Sequence, residues 1–184
     1  MRGISDLETL LADDPLRMDV LGLVADLGLP DCWIAAGFVR DAVWDHLHGR
    51  PIAAPQGDVD VVWFCASEPS EARDRLIEER LRCRMPGLDW SVKNQARMHS
   101  GNGGDPYSSV AHAMQHWPET ATAVAARIAP SGTIEINAPL GIEDLMGLRL
   151  RPTAAFETGK KKIFLERVTA KRWVERYPLL DFSA

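Results

Sequence analysis

At 184 residues, 46% hydrophobic and 26% charged, the chain has the length and balance of one globular domain around one core. Its formal net charge of -5 argues against broad, non-specific binding to nucleic acid, which needs a basic surface, but leaves room for a small basic pocket. Cys32, Cys65 and Cys83 make no CxxC pair, no signal-peptide core follows Met1, and no apolar run could span a bilayer, so the expected setting is the reducing cytoplasm, with no membrane partner.

Ser5 and Glu8 fit a capping box for a short first helix. Asp14-Pro15 opens a second, with Leu16, Val20, Leu23, Val24 and Leu27 on one face and Gly28 as its stop. Cys32–Ala36 is a short apolar strand. Gly37 follows, then a helix from about Val39 to His48, and residues 50–57 form a loop with two prolines. Asp58–Phe64 is a strand rich in β-branched and aromatic residues. A charged helix over Glu68–Arg82, capped by Ser67, and a strand over Asp89–Asn94 come next. Ser100–Pro106 is a loop, and Pro118 separates helices over Val110–Trp117 and Glu119–Ala125. Strands around Ala126–Ile128 and Thr133–Ile136 flank a Pro-Ser-Gly turn. Short and long helices over Ile142–Met146 and Ile163–Arg176 close the chain. The pattern predicts a single α+β (or α/β) domain: N-terminal helices at 1–30, a core at 31–152, and a C-terminal tail and helix at 153–184.

Residues i and i+2 of a strand point to one face, so Asp58 and Asp60 present two carboxylates side by side. Hard oxygen ligands so placed suit Mg²⁺, which also takes phosphate oxygens. Alone, Asp-x-Asp also describes a solvated strand end. The upstream segment adds weight to the metal. Gly37 stands between a strand and a helix, where the backbone can approach a ligand. The helix start offers free N–H groups and a positive dipole end to an anion. Arg40, in that first turn, opposes the dipole unless it meets a phosphate or pairs with an acid such as Asp41.

The run Gly37-Phe38-Val39-Arg40-Asp41, then Gly49-Arg50-Pro51, then Asp58-Val59-Asp60 resembles the nucleotidyltransferase motif of the DNA polymerase β superfamily, in the version found in tRNA CCA-adding enzymes and bacterial poly(A) polymerases. Trp90–His99, Trp117–Thr122 and Ala138–Leu145 further resemble a bacterial family of small stand-alone nucleotidyltransferase-like proteins. The resemblance implies a polymerase-β-type sheet with flanking helices. It assigns Gly37 and Arg40 to a nucleoside triphosphate and Asp58 and Asp60 to one Mg²⁺ or two. Asp41 goes to loop support or nucleotide contact.

Two departures stand out. Ala36 replaces the first glycine of the family's Gly-Gly pair, which predicts a tighter or differently shaped turn. The superfamily also carries a third acid on the next core strand, where the same-face set here is Asp89, Ser91 and Lys93. Asp89 is the candidate catalytic carboxylate, with Glu135 as the alternative. Alternation over Lys93, Gln95, Arg97 and His99 leaves two readings open, a polar wall holding nucleotide or acceptor through Lys93 and Arg97, and a charged edge strand. His46 and His48 are wrongly spaced to share a metal. Trp33, Trp44, Trp63, Trp90 and Trp117 read as core, and Lys160–Lys162 as a solvated helix approach.

The resulting expectation is Mg²⁺-dependent transfer of a nucleoside monophosphate from an NTP to an unknown acceptor hydroxyl. CCA addition itself is not expected, given the acidic charge and the lack of tRNA-binding helices after the core. The alternatives are a non-catalytic nucleotide-binding regulator or interaction module with a degenerate site, and a toxin-like modifier of tRNA or protein.

Overall fold

The structure is a computed structural model and describes residues 3–102 and 104–182. Two helices, α1 (Ile4–Ala12) and α2 (Pro15–Ala25), come first. The Asp14 carboxylate caps α2 by accepting the Arg17 amide, and Pro15 sits where a missing N–H is harmless. β1 (Trp33–Ala35) leads through Ala36 into α3 (Gly37–Leu47), and β2 (Asp58–Trp63) returns antiparallel to β1. α4 (Glu71–Arg84) crosses over to β3 (Asp89–Asn94), which lies parallel to β2. A 3-10 turn (Gln95–Arg97), α5 (His99–Asn102), α6 (Val110–Met114) and a second 3-10 turn (Thr120–Thr122) follow. The hairpin of β4 (Ala125–Ile128) and β5 (Ile134–Asn137) pairs with β1, completing a mixed five-stranded sheet of order β3-β2-β1-β4-β5. α7 (Glu143–Met146), α8 (Ala154–Thr158), α9 (Lys161–Lys171) and α10 (Trp173–Arg176) complete the α+β fold.

Val59, Val61 and Trp63 of β2 enter a core that also takes Leu7 from α1, Phe164 from α9 and Trp173 from α10. Both chain ends therefore pack on the sheet. Val62 enters a second cluster on the opposite face with Trp33 and Ala35, and Asp58 and Asp60 share that face. Among the described residues, no helix is long and apolar enough to cross a membrane.

Several local expectations give way to tertiary structure. α1 begins at Ile4 with Gly3 as its N-cap, and the Ser5 carbonyl accepts the Thr9 hydroxyl instead of Ser5 capping. Pro69 disfavours helix at Glu68, so α4 starts at Glu71 with Ser70, not Ser67, as its cap. The helix expected over Glu119–Ala125 is a 3-10 turn running into β4, because Ala125 and Ala126 pair with Ala35 and Ile34. Sheet pairing there overrides alanine's helix propensity. Part of the loop expected from Ser100 is helical in α5. The final helix is two helices, broken at Arg172, which is left-handed at φ 52°.

Candidate active site

Antiparallel pairing brings the end of β1 to the start of β2, with Ala35 opposite Asp60. The carboxylates therefore meet the turn that starts α3. Ala36 in that turn has φ 54° and ψ -121°, a region that L-residues rarely adopt. Its amide donates to the Val124 carbonyl at 2.9 Å, and its carbonyl accepts the Val39 and Arg40 amides at 3.1 and 2.9 Å. These bonds hold alanine in a glycine's conformation, so the methyl has not relaxed the turn. Strain of ~1–3 kcal/mol, less ~0.4–1 kcal/mol of added chain entropy, leaves Ala36→Gly more stable by about 1 kcal/mol. A thermal melt should show a rise of a few degrees, and a fall would mean that the methyl's packing outweighs the strain.

Asp58 is exposed and Asp60 is partly buried. Burial, and then the Asp58 charge, push the Asp60 carboxyl up to about 6, while the Ser91 hydroxyl, Lys171 and Arg40 act the other way. Ser91 stands opposite Asp60 in the parallel register, where the family resemblance led us to expect an acid. Asp89, also exposed, pairs with Asp58 one step further out. Glu135 is on β5, three strands from β2 in the sheet order, and its carboxylate is held by Arg127 at 2.6 Å. Among the described residues, no three His, Cys, Asp or Glu side chains gather closely enough to hold a metal. Asp58 and Asp60 are the two carboxylates that could share a cation here.

Beside that pair is a polar cleft of about 70 Å³ that takes in Gly37, Arg40, Lys171 and Arg176. Arg40 is 6% exposed. Its Nε and Nη2 donate to Asp41 Oδ1 at 2.9 and 2.6 Å, and its Nη1 donates to Thr122 Oγ1 at 3.1 Å. Its guanidinium lies 5.0 Å from the ring centre of Trp44 and 4.6 Å from that of Trp173. Arg176 reaches the other oxygen of Asp41 at 3.6 Å. Asp41 thus orients two cations at the start of α3, and the intrahelical ladder leaves the Gly37 and Phe38 amides unused. The buried Trp173 indole N–H has no partner among the described residues.

Sequence reasoning read Ile163–Arg176 as an amphipathic helix and gave no role to Arg167, Lys171, Trp173 or Arg176. The i, i+4 spacing of Arg167 and Lys171, which puts both on one face of α9, was the available signal. What no spacing could show is that α9 and α10 fold back over α3.

The Lys93–His99 segment does not form one wall. Asn94 ends β3 by accepting the Ala96 amide, and the 3-10 turn destroys the alternation. Lys93 lines a second cavity, of about 360 Å³, that also contains Asp60, and its Nζ is 3.4 Å from Glu78. Arg97 forms an ion pair with Asp74, which is fully buried on α4. It lines neither hollow. Its role as expected from sequence, a nucleotide contact, is replaced here by a structural one. Of the tryptophans expected in the core, Trp33, Trp44, Trp63 and Trp90 are buried, Trp44 with Arg40 over its ring, and Trp117 is partly buried against the larger cavity. The loop into β2 is braced from α2, where the buried Arg17 donates to the Phe38 carbonyl at 3.0 Å and the Ala53 carbonyl at 3.1 Å. His48 is structural too. Its Nδ1 donates to the Trp44 carbonyl, and its Nε2 accepts the Leu179 amide.

The sequence model of a family described as nucleotidyltransferase matches residues 22–182. The chain belongs to that nucleotidyltransferase family. This nucleotidyltransferase-family chain is 31% identical to a protein whose NMR structure reveals a CCA-adding enzyme head domain, with a TM-score of 0.88 over 100% of this chain and 97% of that one. A CCA-adding enzyme in complex with CTP is 17% identical, with a TM-score of 0.59 over 100% of this chain and 44% of that one. The Thermotoga maritima CCA-adding enzyme complexed with tRNA is 18% identical, with a TM-score of 0.58 over 100% of this chain and 43% of that one. The chain spans less than half of the length of these two enzymes, and its likeness to them is one of fold. No curated protein matches it in sequence.

Proposed function

We propose that the chain transfers a nucleoside monophosphate from a nucleoside triphosphate to an acceptor hydroxyl, with Mg²⁺ held by Asp58 and Asp60. The observation that carries this reading is the carboxylate pair beside a cleft walled by the start of α3, Arg40, Lys171 and Arg176. A pair whose charges oppose one another, with Asp60 raised to about 6, fits a hard divalent cation. Bound there, one Mg²⁺ or two would neutralise charge developing on the transferred phosphate and the leaving oxygen. Gly37 lets the α3 backbone approach the triphosphate, and Arg40 and Asp41 fix the cleft wall. Lys171 and Arg176 draw the leaving pyrophosphate towards that wall. Family membership supports the reaction class, and the CTP complex of a protein with the same fold supports an NTP. The free thiols of Cys32, Cys65 and Cys83 suit a reducing compartment, and we assign the chain to the cytoplasm.

The test is labelling of a cell lysate with each of the four NTPs, radiolabelled at the α-phosphate, alongside Mg·NTP titration of the pure protein. Transfer should appear as a labelled acceptor that depends on Mg²⁺. Lys171→Ala and Arg176→Ala should each weaken Mg·NTP binding about tenfold, the effect of losing a charged hydrogen bond. Unchanged affinity in both would remove α9 and α10 from the site.

A second reading, a nucleotide-binding regulator without turnover, is favoured by Ser91 standing opposite Asp60, with no three-carboxylate cluster among the described residues. Tight Mg·NTP binding with no pyrophosphate release against any acceptor would decide for it.

The raised Asp60 carboxyl has a consequence for pH. The native state keeps that proton up to about pH 6, whereas an unfolded aspartate releases it near 3.8. Between those values the native state binds more protons, so this group's contribution to metal-free stability is full at low pH and falls as pH rises through about 6. Mg²⁺ must displace the same proton, so its affinity should rise with pH up to about 6 and level off above. Melting curves of wild type minus Asp60→Asn, with and without Mg²⁺, isolate the effect. A difference that does not change with pH would refute it.

A further inference from the structure

Two hollows meet at Asp60. The cleft of about 70 Å³ lies on the α3 side, and the cavity of about 360 Å³ opens on the other. Ala36, Asp60, Thr122 and Arg167 border both. Their other walls differ in chemistry. Arg40, Lys171 and Arg176 belong to the cleft alone. The larger cavity instead has Tyr107, Trp117 and Phe156, with Lys93 as a cation and Met98 partly exposed at 37%.

Displacement at phosphorus needs the attacking and leaving oxygens roughly in line. With pyrophosphate drawn into the cleft, the attacking oxygen must come from the opposite side of Asp60, where the larger cavity opens. We propose that this cavity is the acceptor chamber, and that it takes a small hydroxyl compound about the size of one nucleotide, with a ring face for Trp117 and Phe156 and an anionic group for Lys93. The inference rests on the reading of the cleft as the triphosphate site. At ~30 Å³ per water the chamber holds about a dozen waters, which suits one such molecule. A net charge of -5 disfavours tracking along a polyanion. Aromatic walls offer apolar area to a sugar or base ring.

In the transfer the acceptor oxygen bonds to the α-phosphorus. The bond from that phosphorus to the α,β-bridging oxygen breaks, and pyrophosphate leaves with the electron pair. The hydroxyl proton passes to His116, which lines the chamber. His116 Nδ1 donates to the His112 carbonyl at 3.0 Å, which leaves Nε2 with its lone pair. His116 thereby supplies the base that Ser91 does not.

The experiment uses the full chain, Mg²⁺ and α-labelled NTPs, with a lysate separated into a small-molecule ultrafiltrate and a macromolecular retentate. Label should enter a small product from the ultrafiltrate. Lys93→Ala, which loses one charged contact, and the exposed-site variant Met98→Asp, which sets a like charge against the acceptor's anionic group, should each raise the ultrafiltrate needed for half-maximal labelling about tenfold, with Mg·NTP affinity within about twofold of wild type. His116→Ala should lower the maximal rate ~10²-fold without changing the half-saturating amount, and added imidazole should restore part of it. Label confined to the retentate would overturn the proposal. So would Lys93→Ala and Met98→Asp weakening Mg·NTP binding instead, which would make the cavity the nucleoside's. If the wild type binds no Mg·NTP, the cleft reading fails and takes this proposal with it. Intact Mg·NTP binding with unaltered acceptor dependence in both variants overturns the chamber alone.

Discussion

Asp58→Ala combined with Asp60→Ala should reduce Mg·NTP binding to background and slow transfer by ~10³-fold or more, while leaving the chain folded. The size of the effect follows from what the pair supplies. Of the three carboxylates that line the cleft, Asp41 is taken up by Arg40 and Arg176, which leaves Asp58 and Asp60 for the metal, and among the described residues no three such groups gather closely enough to hold one. The fold should survive because neither side chain belongs to the core. Val59, Val61 and Trp63 hold β2 in place from the opposite face. The metal-free double variant should melt at or above the wild-type temperature near neutral pH. It has lost the mutual repulsion that helps to push the Asp60 carboxyl up to about 6. Addition of Mg²⁺ should raise the melting temperature of the wild type only. A double variant that binds Mg·NTP as tightly as wild type would remove the metal assignment, whatever its stability.

Asp74→Ala should lower stability by ~3–5 kcal/mol, the range for breaking a buried ion pair by removing one partner. Asp74 is fully buried on α4 and gathers three donors. Trp63 Nε1 donates to it at 2.8 Å, the Asn94 amide at 3.1 Å, and Arg97 completes the set as an ion pair. Alanine would leave an indole N–H and a backbone N–H without this acceptor, and the Arg97 guanidinium with the Asn94 carbonyl at 3.5 Å and solvent. For a chain of this length the loss corresponds to roughly 6–20 °C in melting temperature. Arg97→Met should cost less, because the carboxylate keeps its two neutral donors. The same variants test the displacement of Arg97 from the nucleotide site. At a temperature where it remains folded, Arg97→Met should bind Mg·NTP as wild type does. A selective loss of nucleotide affinity with unchanged stability would return Arg97 to the site.

The legible part of the site was the part carried by neighbouring residues. Asp58 and Asp60 share a face because strands alternate, and Gly37 and Arg40 fall in the first turn of a helix because an apolar strand ends just before them. These are short-range consequences of backbone geometry. Errors arose where a local propensity met a distant partner. Ala125 carries a helical preference, but β1 needed a neighbour. Lys93 to His99 alternated in charge like a strand, but Asn94 used its side chain to turn the chain. Ser67 was a sound cap in the wrong place, because Pro69 restricts the residue before it.

By itself the sequence determined the α+β class, the nucleotidyltransferase resemblance, and the strand and helix that carry Asp58, Asp60, Gly37 and Arg40. Periodicity, turn chemistry and a short motif all act within a few residues, and so they can be read along the chain. Only the tertiary structure decided what surrounds that motif. It placed Ser91 and not an acid opposite Asp60, held Ala36 in a glycine's backbone, tied Arg97 to the buried Asp74, and folded Lys171, Trp173 and Arg176 over the start of α3. Each of these depends on contacts between residues far apart in sequence. Their energies come from shared burial and charge, which no local pattern encodes.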